Sequence, residues 1–328
     1  MAEARDMPHA AGGRSGDNAR SPAELSTHGW RAVLVRVWRE ISEDRVLLVA
    51  GGVTFYLVLA LFPALAAFVS IYGLLADPAA VSGYLGQLQG IVPAAGIEII
   101  GTQLRTLAGQ SADALGVSFI LGLLVAFWSA NGGVKALFDA MNIAYEEEEK
   151  RGFISLNLAA FAFTLGAFLL AVLFIVAVGI VPVALAWLGL GPVTELLVRV
   201  MRWVLIALVA LAAISLLYRF GPSRAPARWS WVSVGAVIAT LGWFAVSWGF
   251  SLYLQNFADY NATYGALGAV MGLLMWLWIS TVVVIVGAEL NAEMERQTLR
   301  DSTTGPEQPP GLRGAVVADS GPESHPAG

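Results

Sequence analysis

Residues 266–288 read ALGAVMGLLMWLWISTVVVIVGA, without a single charge, and the chain turns at once into Glu289-Leu290-Asn291-Ala292-Glu293. About 23 residues at ~1.5 Å each reach about 34 Å, enough to cross a bilayer core of ~30 Å. A helix that is apolar on every side for that length has no use for water on any face. The stretch therefore predicts a chain that lives in a membrane. Composition agrees, with 57% hydrophobic and 13% charged residues, where a soluble domain carries about 25% charged. Cysteine is absent, which excludes disulfides, thiolate catalysis and cysteine metal sites. The net charge of −5 says little, because in a membrane protein the placement of charge outweighs its sum.

Five further apolar runs accompany the first, giving an all-α fold with six expected spans at about 46–75, 115–137, 155–187, 201–218, 231–254 and 266–288. Pro63 inside the first span removes a backbone hydrogen bond and predicts a kink. The second span is the least regular. Its apolar part ends at Trp128, so it must continue through Ser129-Ala130-Asn131-Gly132-Gly133 and past Lys135, and the two glycines there permit a break or a close helix contact. The third is over-long and carries Gly179 and Pro182 near its end, which predicts tilt or an end beyond the hydrocarbon. Gly265, Gly268 and Gly272 suit close packing of the sixth span inside the bundle, with dimerisation the weaker use.

The membrane domain is expected over 29–300, between disordered tails at 1–28 and 301–328 that are rich in small and polar residues. No short apolar segment with a small-residue cleavage site follows a basic start, so the first span is expected to serve as a retained insertion signal. Before it, Trp30, Val33, Leu34, Val37, Trp38 and Ile41 alternate with Arg31, Arg36, Arg39 and Glu40. That pattern predicts an amphipathic interfacial anchor, with arginines on lipid phosphates and tryptophans at headgroup level. Between the first two spans, Leu85, Leu88, Ile91, Ile97, Ile100, Leu104 and Leu107 recur at helical spacing about Pro93. Two short amphipathic helices on the outer face are expected there. Of the 19 basic residues, all but Arg105, Arg199 and Arg202 fall on the side of the termini. The positive-inside rule then places both termini in the cytoplasm, as an even number of spans requires, in a bacterial inner membrane.

Six polar residues near the cytoplasmic ends are candidates for one cavity: Lys135, Asp139, Asn142, Arg219, Glu289 and Asn291. Lys135 and Asp139 stand four apart and share a helix face, as a buried pair lining a pathway or as a snorkelling lysine beside a surface carboxylate. Glu289 and Glu293 are one turn apart, which suits proton coupling or an interfacial helix end with a local ion pair. Arg219 precedes Phe220-Gly221-Pro222 and reads as a helix stop with a basic interface residue. The run Glu146 to Glu149 diverges around a helix and reads as a solvated loop rather than a cation site. Glu195 and Arg199, four apart, form either a plain helix pair or part of an anion-attracting outer vestibule.

These residues resemble the YihY / virulence factor BrkB family of bacterial inner-membrane proteins, formerly called ribonuclease BN. The resemblance rests on Thr54-Phe55-Tyr56 with Leu61-Phe62-Pro63, on the run from Ala136 through Asn142 to Tyr145, and on Leu217-Tyr218-Arg219-Phe220-Gly221-Pro222. Most specific is Tyr264-Gly265-Ala266-Leu267-Gly268-Ala269, leading through Trp276-Leu277-Trp278 to Gly287-Ala288-Glu289-Leu290-Asn291-Ala292. The family implies six helices with internal termini, the arrangement the hydropathy reaches separately. The old nuclease label fits the residues badly. Metal-dependent RNA hydrolysis uses clustered histidines and carboxylates on a basic surface, and the histidines here are His9, His28 and His325. No catalytic residue, metal, cofactor or nucleic acid is expected. Two classes remain: a transporter or lipid-handling protein acting on a small-molecule or lipid substrate, and a non-transporting envelope scaffold or partner-binding protein. The first draws on Pro63, the irregular second span, Lys135 with Asp139, and Glu289. The second draws on the lack of mid-membrane charge in the third, fifth and sixth spans, and no internal repeat marks a transporter. Oligomeric state is left open.

Overall fold

A computed structural model describes residues 19–75, 97, 115–175, 192–256 and 266–321, and among these every extended regular element is a helix. The first, α1 (Thr27–Glu43), starts where Ser26 caps it by accepting the Gly29 N–H at 3.1 Å. Arg45 then takes a left-handed backbone, φ +50°, which ends the helix and redirects the chain. There follow α2 (Val46–Leu75), α3 (Leu115–Ala144), α4 (Phe153–Ile175), α5 (Pro192–Phe220), α6 (Trp229–Asn256) and α7 (Ala266–Arg296). A short α8 (Val316–Asp319) lies in the segment after them. Proline opens α5 at the first helical position, where its missing N–H costs nothing.

Among the described residues, four helices are long and apolar enough to cross a membrane, in the windows Phe153–Leu170, Val200–Phe220, Trp229–Leu254 and Val270–Arg296. A fifth arises if α1 and the start of α2, bent by 61°, count as one broken span. Their outer surfaces are made of large apolar side chains, among them Leu158, Leu241 and Trp248, each more than 60% exposed. In water that surface would be ruinous; in lipid it is the solvated face. Two threonine hydroxyls within these helices turn back on their own backbone: Thr164 donates to Ala160 O at 2.8 Å and Thr240 to Ala236 O at 2.7 Å. No donor is left facing hydrocarbon at those positions.

The helices neighbour one another in the order α4, α3, α2, α7, α6, α5, and lighter contacts of α5 with α3 and α4 close the ring. Small residues set the two tightest seams. Gly132 and Gly133 lie on Tyr56 and Leu57 of α2, so the glycine pair brings α2 and α3 together while α3 continues unbroken to Ala144. At the α6–α7 crossing, a Cβ on Gly235 would collide with the Gly287 carbonyl and come within 2.6 Å of the Asn291 side-chain carbon. One on Gly287 would sit 2.8 Å from the Ala239 Cβ. Gly268 and Gly272 are also buried on α7, whereas Gly265 lies outside the described residues.

Several expectations change. The last helix outruns its apolar stretch by two turns, to Arg296, so Glu289 is interior to a helix rather than at its end. Residues 19–26 and 301–321, expected as tails, pack on the helix ends: Ala19, Leu25, Arg313, Val317 and Ala318 are buried. Composition hides this because the anchoring comes from a few backbone bonds, such as Arg228 N–H to Ser302 O at 2.8 Å and Ala225 N–H to Gly314 O at 3.0 Å. The helix α2 passes through Pro63 to Leu75. The expected amphipathic pair about Pro93, apart from Ile97, falls outside the described residues, as do Gly179, Pro182 and residues 1–18 and 322–328.

Replacing Gly235 with alanine forces backbone apart from backbone and lowers stability by about 1–3 kcal/mol. Gly249→Ala, whose Cβ meets nothing within 4 Å, leaves the melting temperature unchanged or raises it. Thermal unfolding of the two purified variants in detergent reads the contrast.

Candidate functional site

A helix of 31 residues is longer than a bilayer core needs: at ~1.5 Å per residue, α7 exceeds ~30 Å by about 16 Å. Its charged last turns run from Glu289 to Arg296, with Gln297 just beyond, and helical spacing sorts them into two stripes. Glu289, Glu293, Arg296 and Gln297 face α1 and the end of α3; Asn291 and Glu295 face α6 and the loop before it. Both stripes are buried. A buried charge must be paired, so each stripe recruits a partner from elsewhere in the chain.

Arg36 of α1, 2% exposed, places its Nε on Glu293 Oε2 and its Nη2 on the Gln297 side chain at 2.9 Å and the Glu293 carbonyl at 3.2 Å. Arg296 bridges Glu293 at 3.0 Å and Glu146, the residue whose left-handed backbone (φ +53°) ends the turn after α3. On the other stripe, Glu295 accepts from Arg224 Nη2 at 2.6 Å and Ser302 Oγ at 2.7 Å. Arg224 also lies 4.6 Å over the Tyr145 ring. Asn291 clamps α6, accepting the Gly235 N–H at 2.9 Å and donating to Val232 O at 3.1 Å.

The six candidate residues divide among these surroundings. Lys135 leaves the network: its Nζ donates to Asn157 Oδ1 of α4 at 3.1 Å, an acceptor it shares with Asn131. Asp139 is exposed. Asn142 is buried and ties two loops together, donating to Glu149 Oε2 at 3.0 Å and accepting the Ser223 N–H at 2.7 Å. Arg219 gives Nη1 to the Ala227 carbonyl and lies 4.5 Å over the Trp229 ring. Asn291 is the clamp just described. Glu289 is 1% exposed, neighbours Asp44 and Glu40, and keeps Oε1 without a partner among the described residues.

Arg36 is the largest departure from sequence reasoning. Read as a lipid-facing anchor residue, it is a buried cation, 2% exposed, while Trp38 and Leu34 of the same helix face outward at 78% and 57% exposure. A signal existed: Arg36 lies between Val33 and Val37, on the apolar stripe that packs inward. Arg224 and Glu295 offered none, since they meet across 71 positions; Arg296 offered half, its i,i+3 spacing from Glu293, while Glu146 is far off in sequence. The acidic run is not uniformly solvated either. Glu147 is buried, accepts from Lys150 Nζ at 2.7 Å and from the Val316 N–H at 2.7 Å. Among the described residues, no group of three or more histidine and carboxylate side chains could hold a metal ion.

The Arg151 guanidinium chelates Glu149 through Nε at 2.8 Å and Nη2 at 2.7 Å. That pairing, aided by Asn142, holds the Glu149 carboxyl at about 2 against an ordinary 4.5.

Comparison with known proteins bears on what this end of the molecule belongs to. A family model described as Virulence factor BrkB matches residues 37–311. The chain is similar to YfkH of Bacillus subtilis, named ribonuclease-like, at 31% identity over 76% of this chain and 90% of YfkH. It is similar to a UPF0761 membrane protein of Photobacterium profundum at 28% identity, over 80% of this chain and 81% of that one. A UPF0761 membrane protein of Chlorobium phaeobacteroides is 27% identical over 77% of this chain and 55% of its own. No solved structure matches at a significant level.

Arg36→Met strands Glu293 with one cation instead of two and costs about 3–5 kcal/mol, the range for breaking a buried pair. Arg36→Lys recovers part of it, keeping the charge but losing the fork; denaturant unfolding in mixed micelles separates the three proteins. For Glu149 the folded pKa is depressed, so its contribution is full above about 4.5 and vanishes as pH falls through about 2. Between pH 5 and pH 2 the melting temperature of the native chain therefore falls more steeply than that of Glu149→Gln.

Proposed function

The chain belongs to the virulence factor BrkB family, and on that premise we propose that this multi-pass bacterial membrane protein is a transporter or lipid-handling protein of the inner membrane. In this reading all six long helices cross the bilayer, both termini are cytoplasmic, and the charged end of α7 faces the cytoplasm. Sixteen of the 19 basic residues on one side support that orientation.

The observation that carries the transport reading is Glu289. Glu293 and Glu295, the other carboxylates on the buried turns of α7, each pair with an arginine, as a static lattice requires. Glu289 meets no cation among the described residues; it faces the carboxyls of Asp44 and Glu40 and shares a side-chain hydrogen bond with Asp44. Ionisable groups kept within a membrane bundle at such cost mark substrate or proton paths. The surrounding ion pairs would hold the site in place while a proton or substrate exchanges there.

A second reading, an envelope scaffold that transports nothing, draws on Lys135, which bonds Asn157 on the far side of α3 rather than joining Glu289. The ribonuclease-like name of YfkH stays with that protein. Of the three histidines here only His28 lies among the described residues, at the start of α1, away from the buried carboxylates of α7 in sequence and chemistry.

Flux of candidate solutes and lipids in proteoliposomes tests the choice. Glu289→Gln is expected to cut flux at least tenfold by removing the titratable oxygen, and Lys135→Ala to cut it far less. Flux equal to that of protein-free vesicles across all candidates would favour the scaffold.

A further inference from the structure

Where α3 hands over to α4, and α5 to α6, two loops and a piece of the C-terminal segment enclose a cleft of about 360 Å³. Ligand pockets start near 300 Å³. Its lining includes Lys150, Arg151, Arg219, Ser223 and Arg224, with Gly314 closing one wall. Four cations on one small concavity would repel each other without partners, and three have them: Lys150 pairs with Glu147, Arg151 with Glu149, Arg224 with Glu295. Arg219 meets no carboxylate among the described residues, so its charge gives the cleft a net positive sign.

Hydrogen-bond capacity is also left over. Arg219 uses Nη1 on the Ala227 carbonyl, and its Nε has no partner. Arg224 commits Nη2 to Glu295 and Nε to the Ala225 carbonyl, and its Nη1 has none. Ser223 Oγ accepts the Lys150 N–H at 2.9 Å and donates to nothing else among the described residues. Lys150 already lines the cleft with its side chain 56% exposed, and its ammonium keeps further N–H donors besides the one on Glu147. A cationic concavity with spare donors at and just behind its wall suits an oxygen-rich anion.

The surroundings indicate where the anion comes from. Phe153 and Ile154, one glycine beyond the cationic pair, are 79% and 81% exposed, and Phe220 and Trp229 flank Arg219 with exposed rings. These apolar side chains begin the lipid-facing surfaces of α4, α5 and α6. A headgroup in the cleft would leave its acyl chains along them, the arrangement by which basic pockets between helix ends hold acidic lipids.

We propose that this cleft binds a phosphate-bearing anion, the headgroup of an acidic phospholipid, with Arg219 and Lys150 as charged contacts and Ser223 as hydrogen-bond donor. The proposal rests on the placement of this end at the cytoplasmic boundary and is independent of transport, because binding is read without flux.

The test uses the full chain in detergent, with bound lipid counted by native mass spectrometry. Titrants are phosphatidylglycerol, the matching diacylglycerol without phosphate, and inorganic phosphate as competitor. Phosphatidylglycerol is expected to bind at least tenfold more tightly than diacylglycerol. Arg219→Gln and Lys150→Gln should each weaken it roughly tenfold, the size of one hydrogen bond to a charged group, and Arg219→Lys should lose less. Arg202→Gln, an equal charge loss at the other end of α5, should bind as the native chain does. If inorganic phosphate competes at matched concentration, the site takes free phosphate as well; if it does not, the lipid is the ligand. Either result supports the shared chemistry. Equal binding of the two lipids, or native affinity in folded Lys150→Gln and Arg219→Gln, overturns it. Lys150→Gln keeps a side-chain donor for Glu147, which also holds the Val316 N–H, so this variant folds even if that of Arg219 does not. Binding without flux would sink the transport reading alone, and flux without this binding would sink the cleft alone.

Discussion

Charge withdrawn from water at the end of a long helix has to be matched, and that requirement organises this molecule. The last two turns of α7 carry Glu289, Glu293, Glu295 and Arg296, all buried. An unpaired buried ion costs several kcal/mol, more than any single contact nearby returns. The pairing needs Arg36 from α1, Glu146 from the turn after α3, Arg224 from the loop after α5 and Ser302 from the chain beyond α7. Each partner drags its own segment into place. The bend at Arg45, the left-handed Glu146 and the folded-back residues after 300 accompany those pairings.

The apolar half of the bundle obeys a different rule. Lipid tails are as apolar as leucine, so burial of side chains supplies no drive for helices to associate there. Contact is won by backbone proximity instead, at Gly133 on α2 and at Gly235 against Gly287. Asn291 sits where the two regimes meet. It bonds the α6 backbone within a turn of the glycine seam and shares its helix with the ion pairs. Rigidity at this end makes its exceptions informative. Glu289 beside Asp44, and Arg219 with the free edge of Arg224, are groups that the lattice holds but does not satisfy.

Much of the helical layout was legible from residue order. The ends of α5, α6 and α2 fall within a turn or two of hydropathy limits, except that α5 begins earlier, at Pro192. The candidate site was legible only in part. Asn142, Glu289 and Asn291 are buried at the charged end, but they face different neighbours, and Lys135 turns to Asn157. Spacing can say that Lys135 and Asp139 share a face; it is silent on which helix that face meets. Arg36 was misread for the same reason. An arginine between two valines on an amphipathic helix looks like a snorkelling residue until a carboxylate 257 positions later is found against it.

By itself, the order of residues determined the solvent and the apolar helices. These follow from a one-dimensional quantity, the length of an apolar run against the thickness of a bilayer. The opening stretch 266–288 also located its own limit, the point where Glu289 begins the polar end. Tertiary structure alone decided which charge answers which, that α7 continues past its apolar limit, and that the terminal segments close over the loops. Ion pairing depends on distance and dielectric between segments far apart in sequence, and a sequence carries neither.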